Sequence, residues 1–198
     1  LELADAYMEQ KEYKKALEKY KLLLDKATPR EAKTLNLLLC ELYIKWAVDI
    51  AEQKKFDESF EYLKEATQYN ALNPKIYYYV AKNYYQLSNY TSCIEAVNKA
   101  IEYEKQSSEK TDYFLLLSDA HHQLGNFFEE KKALTDLLKI DEKNPEGLYR
   151  VGLMYVAQHD IKNAEDSFKR ALVYNPDMIQ AKYNLALLYE NNNRDKAK

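Results

Sequence analysis

The feature that most constrains this chain is an internal repeat of small residues inside amphipathic stretches. Each small residue stands about one helical turn before a large one, and the successive separations are 43, 34, 37, 34 and 34 residues. The small residues are Ala4, Ala47, Ala81, Ser118, Gly152 and Ala186. A repeat of roughly 20 to 50 residues is typical of solenoids, whose units pack only on their neighbours. Two separations exceed 34 by 9 and 3 residues, which indicates insertions.

The register around these small residues predicts a helical hairpin in each unit. A large residue, most often Tyr, follows three positions later, and a second small residue usually follows after twelve. Helix-ending dipeptides such as Ser88-Asn89, Gly125-Asn126 and His159-Asp160 lie between the two stretches. With only 3 Gly and 4 Pro, the composition also favours helices over an all-β fold.

Capping patterns predict where the units begin. Thr28-Pro29 with Glu31 offers a capping Thr, a Pro at the first helical position and a Glu at the third, and Asn73-Pro74 and Asn144-Pro145 repeat the device. We expect a first helix from Pro29 to Glu52 that is lengthened by the insertion and projects at its N-terminal end. The predicted units are 1–28, 29–73, 74–110, 111–144, 145–178 and 179–198, the first and last being partial.

One unit carries the pattern of a known family with little departure. Its residues, in the family order of Leu or aromatic, apolar, Gly, Tyr, Ala, Phe, Ala and Pro, are Leu148, Val151, Gly152, Tyr155, Ala164, Phe168, Ala171 and Pro176. The chain therefore resembles the tetratricopeptide repeat over nearly its whole length. The resemblance implies an all-α solenoid of antiparallel helix-turn-helix hairpins, stacked as a single array into a right-handed superhelix.

The resemblance also implies a binding surface, because the first helix of each unit lines the concave face in this family. Carried over by register, the lining residues are Lys75, Tyr78, Lys82, Tyr85, Asp112, Leu115, Asp119, His122, Tyr149, Leu153, Val156, Tyr183 and Leu187. Neighbouring slots add Gln86, Gln123, Glu146, Ala157 and Gln180. This surface mixes aromatic and apolar residues with little net charge. It predicts a protein or peptide partner with apolar side chains, extended or helical. The 19 Tyr residues are either such surface anchors or a compositional bias shared with Lys and Asn.

Other activities have little support in the sequence. A net charge of -3 with Lys interleaved with Glu gives no electrostatic footprint for nucleic acid, and no apolar run reaches the length of a membrane span. Phosphate-loop, dinucleotide and zinc-protease motifs are absent from the sequence, so we expect no enzyme, cofactor or metal site. Cys93 fits a buried small slot and Trp46 an apolar packing slot.

The sequence leaves two functions open. The first is a non-catalytic scaffold that binds a partner segment on its concave face. The alternative is a structural module that self-associates into a homo-oligomer through exposed repeat faces. Because the chain opens at Leu1 in the middle of a predicted helix, we expect a fragment of a longer protein, and missing targeting signals say little about compartment.

Two departures from the repeat give further expectations. In one subgroup of the family, Lys, Asn and Arg side chains hold the acidic C-termini of chaperones. Asp119 and Glu146 occupy those slots here, which predicts no such binding. In the fourth unit, Glu130 replaces a small residue and His121 replaces Tyr. We expect His121 and Glu130 to hydrogen-bond across the hairpin, leaving His122 as the only His facing the groove.

Overall fold

The chain forms α-helices joined by short turns. The computed structural model describes the backbone of residues 1–196 and the side chains of residues 1–190, and this part contains eleven α-helices and no strand. The helices are α1 Glu2–Glu9, α2 Tyr13–Leu24, α3 Pro29–Glu52, α4 Phe56–Tyr69, α5 Pro74–Gln86, α6 Tyr90–Tyr103, α7 Thr111–Gln123, α8 Phe127–Ile140, α9 Pro145–Ala157, α10 Ile161–Tyr174 and α11 Ile179–Lys196. The first ten pair as antiparallel hairpins, which confirms the predicted fold class.

The predicted helix starts are confirmed by their hydrogen bonds. The backbone N–H of Glu31 donates to Thr28 Oγ1 at 3.4 Å, and Thr28 N donates back to the Glu31 carboxylate at 2.8 Å. Asn73 Oδ1 accepts from Lys75 N at 3.0 Å, and Asn144 Oδ1 accepts from Gly147 N at 2.8 Å. Each cap satisfies a backbone donor that a helix leaves open at its first turn.

A residue with left-handed backbone conformation closes every described hairpin. The φ angles are 60° at Lys11, 62° at Lys54, 57° at Ser88, 71° at Gly125 and 58° at His159. Only Gly adopts this region without a steric cost, so four of the five turns carry a small strain. The turn position that the sequence analysis assigns to His159 is confirmed.

The small residues lie where the two helices of a hairpin approach most closely. Ala4, Ala47, Ala81, Ser118 and Gly152 are all buried. A Cβ atom added to Gly152 would lie 2.5 Å from Cε1 of Phe168, so the contact between α9 and α10 requires the missing side chain. Ala186, on α11, is exposed.

The helix with the insertion has the predicted bounds. Helix α3 is a single helix of 24 residues, Pro29–Glu52, and its first buried residue is Leu35. Residues 29–34, the expected projection, are exposed or half-buried.

Contacts between residues group the chain into two compact units, 1–105 and 106–198. The division into six repeats stays a prediction, and residues 197 and 198 of the last repeat lie outside the described range.

The core of unit 1–105 contains a ladder of aromatic rings across α2, α3 and α4. Trp46 stacks on Tyr62 with ring centroids 4.2 Å apart and on Tyr13 at 5.5 Å. Tyr43 continues the ladder to Tyr69 at 5.7 Å. The packing role expected for Trp46 is confirmed, and much of the Tyr content of this unit is structural rather than exposed. Cys93 is fully buried, as expected, and burial raises the pKa of its thiol to about 11.

The core of unit 106–198 is built around two buried side chains. Phe168 of α10 packs with Ala164 and with Leu188 of α11. Leu148 of α9 packs with Ala171 and Met178. These contacts pack α9, α10 and α11 together. They also determine which side of α9 remains exposed to solvent.

Candidate partner-binding surface

In unit 1–105, the predicted lining residues lie on α5 and are partly engaged with one another. The Lys82 ammonium lies 5.7 Å from the ring centroid of Tyr78 and 5.6 Å from that of Tyr79. The Tyr85 ring meets Tyr90 edge-on at 5.4 Å. Lys75 is exposed, and Tyr78 and Tyr85 are half-buried. The helix thus presents aromatic rings and a cation held over them.

In unit 106–198, the predicted lining residues lie on three first helices joined by side-chain hydrogen bonds. Arg150 of α9 donates to Asp119 of α7, which joins those two helices. Asn184 of α11 donates to the Tyr149 hydroxyl of α9 at 3.1 Å. Of the predicted residues, the structure brings Asp119, His122, Tyr149 and Leu153 together around one cleft. That Asp112, Leu115, Val156, Tyr183 and Leu187 belong to the same binding surface stays a prediction.

The exposure of these residues varies along the surface. Tyr183 is 64% exposed and Leu153 is 38% exposed. Leu115, Val156 and Leu187 are half-buried. Tyr183 and Leu153 are therefore the predicted apolar side chains most available to a partner.

A cleft of about 290 Å³ opens between α7, the start of α8 and α9. We call it the α7–α9 cleft, and its lining residues are Asp119, His122, Phe127, Glu130, Glu146, Tyr149, Arg150, Leu153, Met154 and Ala157. Six of the ten belong to the predicted lining set. Phe127, Glu130, Arg150 and Met154 do not, because they come from α8 or from positions of α9 outside the carried-over slots.

The expected pair of His121 and Glu130 is wrong. His122 Nδ1 instead lies 3.2 Å and 3.1 Å from the two carboxylate oxygens of Glu130. The expectation assumed that equal distance from the turn places two residues face to face. Successive residues point about 100° apart around a helix, so His122, not His121, is turned to the cleft where the Glu130 carboxylate emerges. Solvent reaches this site, since the His122 side chain is 59% exposed and that of Glu130 is 10% exposed.

His121 takes a different environment from the one predicted. Its Nδ1 atom is buried and has no hydrogen-bond partner. Burial lowers the pKa of the His121 imidazole, and the nearby Lys132 lowers it further. Glu129 and Glu130 act in the opposite direction, but the net shift of the pKa is downward. His121 is therefore a packing residue that favours its neutral form.

A second cleft, of about 420 Å³, occupies the corresponding place in unit 1–105, between α3, α4 and α5. In this α3–α5 cleft, Val48, Ser59, Tyr79 and Lys82 stand at the repeat positions of Asp119, Glu130, Arg150 and Leu153. Ser59 donates to the carbonyl oxygen of Ala47 at 2.8 Å and accepts from Asn83 at 2.8 Å. The repeat position that usually holds a small residue is polar in both clefts, as Ser59 in one and Glu130 in the other. Each side chain is hydrogen-bonded, but to different partners.

The described residues hold no group of three or more His, Cys, Asp or Glu side chains that is arranged to bind a metal ion. None of the described helices is long and apolar enough to span a membrane.

A chain built from successive antiparallel helix pairs is a helical repeat protein. Residues 149–197 match the family model for the tetratricopeptide repeat. The TPR repeat-containing protein MJ1428 of Methanocaldococcus jannaschii is 26% identical over 152 residues, which cover 61% of this chain and 27% of that protein. The chain therefore corresponds to only about a quarter of the relative that it matches.

Solved structures share the fold. The C-terminal part of a TPR repeat-containing protein from Cytophaga hutchinsonii superposes with a TM-score of 0.71 at 19% identity, covering 98% of this chain and 72% of that one. YrrB, described as a TPR protein with an unusual peptide-binding site, superposes with a TM-score of 0.60 at 16% identity, covering 77% of each chain. The family model, the relative and the solved structures together support a protein similar to the tetratricopeptide repeat family.

Proposed function

We propose that this chain is a non-catalytic scaffold that binds an apolar segment of a protein partner on the surface formed by its first helices. The carrying observation is the α7–α9 cleft, which has the exposed side chain of Leu153 in its lining, with exposed Tyr183 on α11, a helix bonded to α9 through Asn184 and Tyr149. Aromatic and aliphatic side chains beside a concave feature are typical anchors for a peptide. The likeness of the fold to YrrB, whose description names a peptide-binding site, supports the same use of the fold.

A matched pair of double variants tests this surface. Leu153→Ala with Tyr183→Ala removes two exposed side chains from the first helices. Val173→Ala with Tyr174→Ala removes an exposed aliphatic residue and an exposed Tyr from α10. The partner is first captured by the full-length protein, and its affinity is then measured with purified components. We expect the first variant to lose at least about 10-fold in affinity and the second to stay within about 2-fold. Equal affinities for the two variants contradict the proposal.

Self-association is the second candidate, and exposed apolar residues on the last described helices favour it. Val173 is 70% exposed and Ile179 is 75% exposed, and a second copy of the chain packed on them would remove this apolar surface from water. Sedimentation velocity over a 100-fold range of protein concentration, on the order of 1 to 100 μM, tests for self-association. A constant monomer excludes this function, and a rise in mass that Ile179→Ser abolishes supports it.

A further inference from the structure

The α7–α9 cleft has an apolar half and a charged half. Phe127, Tyr149, Leu153 and Met154 provide aromatic and aliphatic surface. At about 290 Å³ the cleft lies at the lower limit of pockets that enclose a whole small molecule, so its size suits one or two side chains of a larger partner.

The charges of the cleft do not cancel. Arg150 Nε donates to Glu146 at 2.8 Å, and its Nη1 atom donates to Asp119, so one guanidinium is shared by two carboxylates. The third carboxylate, Glu130, is paired with the His122 imidazole. Three acidic side chains and one permanent cation line the same small space, which leaves the cleft negative.

Comparison with the α3–α5 cleft shows that the shape and the charge of the α7–α9 cleft have different origins. Both clefts arise at the same repeat positions, so the hollow itself follows from the packing of successive hairpins. In the α3–α5 cleft, however, Val48 and Ser59 replace Asp119 and Glu130, and the charged lining residues are one acid, Glu52, and two cations, Lys54 and Lys82. The negative charge of the α7–α9 cleft is therefore a property of its own side chains and distinguishes it from a general feature of the repeat.

From this geometry we propose that the α7–α9 cleft docks a partner segment in which a Lys or Arg stands next to an apolar side chain. The apolar side chain packs on Phe127 and Leu153, while the cation reaches the Glu130 and Asp119 carboxylates inside. Complementary charge selects the partner, because an acidic side chain at the same place meets three carboxylates. This inference rests on the proposed binding function and names the chemistry of the partner.

The test uses three capped pentapeptides with Leu and Phe flanking a central residue, which is Lys, norleucine or Glu. Binding to the isotope-labelled protein is followed by amide chemical shifts, and those of α7, α8 and α9 report the site. We expect the Lys peptide to bind at least ~5-fold more tightly than the norleucine peptide and the Glu peptide to bind least. The preference for Lys falls as salt is raised, because charge sets it.

Two variants assign the preference to the cleft. Glu130→Gln keeps a side chain able to accept from His122 but removes the charge, so the preference for Lys drops below ~2-fold. Glu129→Gln is the matched control, since Glu129 is the next residue of α8, pairs with Lys132 at 3.5 Å and does not line the cleft. It retains the full preference.

The other outcomes overturn the inference in distinguishable ways. If all three peptides bind at the cleft equally, the binding surface stands but its charge selection is wrong. If the Glu peptide binds best, the cleft takes an acidic segment instead. If none of the peptides shifts the amides of α7 to α9 at ~5 mM, any binding is weaker than that of functional docking segments. The cleft is then not a docking site. The proposed function is judged separately, by the Leu153 and Tyr183 double variant.

Discussion

The Nδ1 atom of His122 lies 3.1 Å from the carboxylate of Glu130, a residue that occupies a slot filled by a small side chain in most of the other hairpins. The carboxylate is almost fully buried, whereas its partner is largely exposed. The imidazole thus satisfies an acidic group whose burial would otherwise cost free energy. The pair joins α7 to α8, and both residues line the α7–α9 cleft.

A double-mutant cycle on this pair measures their coupling. We expect His122→Ala to lower the free energy of unfolding by about 1 kcal/mol, because it strands the Glu130 carboxylate. Glu130→Ala restores the small residue of the repeat and is expected to be neutral or slightly stabilising. Adding His122→Ala to Glu130→Ala then costs little. Urea unfolding measures all four proteins, and additive effects within about 0.3 kcal/mol would show that the two residues are not coupled.

The sequence predicts well the features of this fold that depend on local interactions. The cap at Thr28 and the left-handed turn at His159 each involve residues within a few positions of one another, so their pattern is readable in the chain. The small slots at Ala47 and Gly152 follow from the repeat period.

The candidate site is less predictable because it depends on how helices are rotated against each other. A shift of one residue turns a side chain by about 100°, which is why the register selected His121 where His122 makes the contact. The bond from Arg150 to Asp119 spans two hairpins and depends on side-chain conformations that no local pattern encodes. The repeat register selected six of the ten lining residues, and the departure of Glu130 from its slot pointed to a seventh.

Gly152 is predicted to resist substitution by even one methyl group. A Cβ there would lie 2.5 and 2.6 Å from two ring atoms of Phe168, a fully buried side chain. Overpacking costs about 1–3 kcal/mol, which exceeds the gain of about 1 kcal/mol from replacing a helical Gly by Ala. We therefore expect Gly152→Ala to lower the midpoint of urea unfolding.

The test of this explanation is the Phe168→Leu background, where the ring edge is absent. There, Gly152→Ala should cost clearly less than in the wild-type chain. An equal cost in both backgrounds would point to a cause other than the ring contact.

His121 is predicted to make the fold more sensitive to acid. Burial lowers the pKa of its imidazole, so the unfolded chain takes up a proton first as the pH falls below about 6.5. The unfolded state then binds more protons than the folded state, and stability decreases as the pH falls through this range. His121→Tyr installs the residue that holds this slot in several other hairpins and removes the titration.

The measurement is the difference in unfolding free energy between His121→Tyr and wild type at several pH values. We expect this difference to grow in favour of the variant between pH ~7.5 and ~5. Effects of His122 and of the carboxylates are common to both proteins and cancel. A difference that is constant with pH would mean that His121 has the same pKa in both states.

Free acidic C-terminal peptides of the kind that one subgroup of the family binds are predicted not to bind here. The guanidinium of Arg150 is already bonded to Asp119 and Glu146, and the Lys82 ammonium lies over two Tyr rings. A peptide carboxylate would have to displace these partners and approach the acidic side chains that hold them. Calorimetry with an acidic pentapeptide that has a free C-terminus should detect no binding tighter than about 1 mM. The amidated peptide serves as the control, and micromolar affinity that depends on the free carboxylate would prove the prediction wrong.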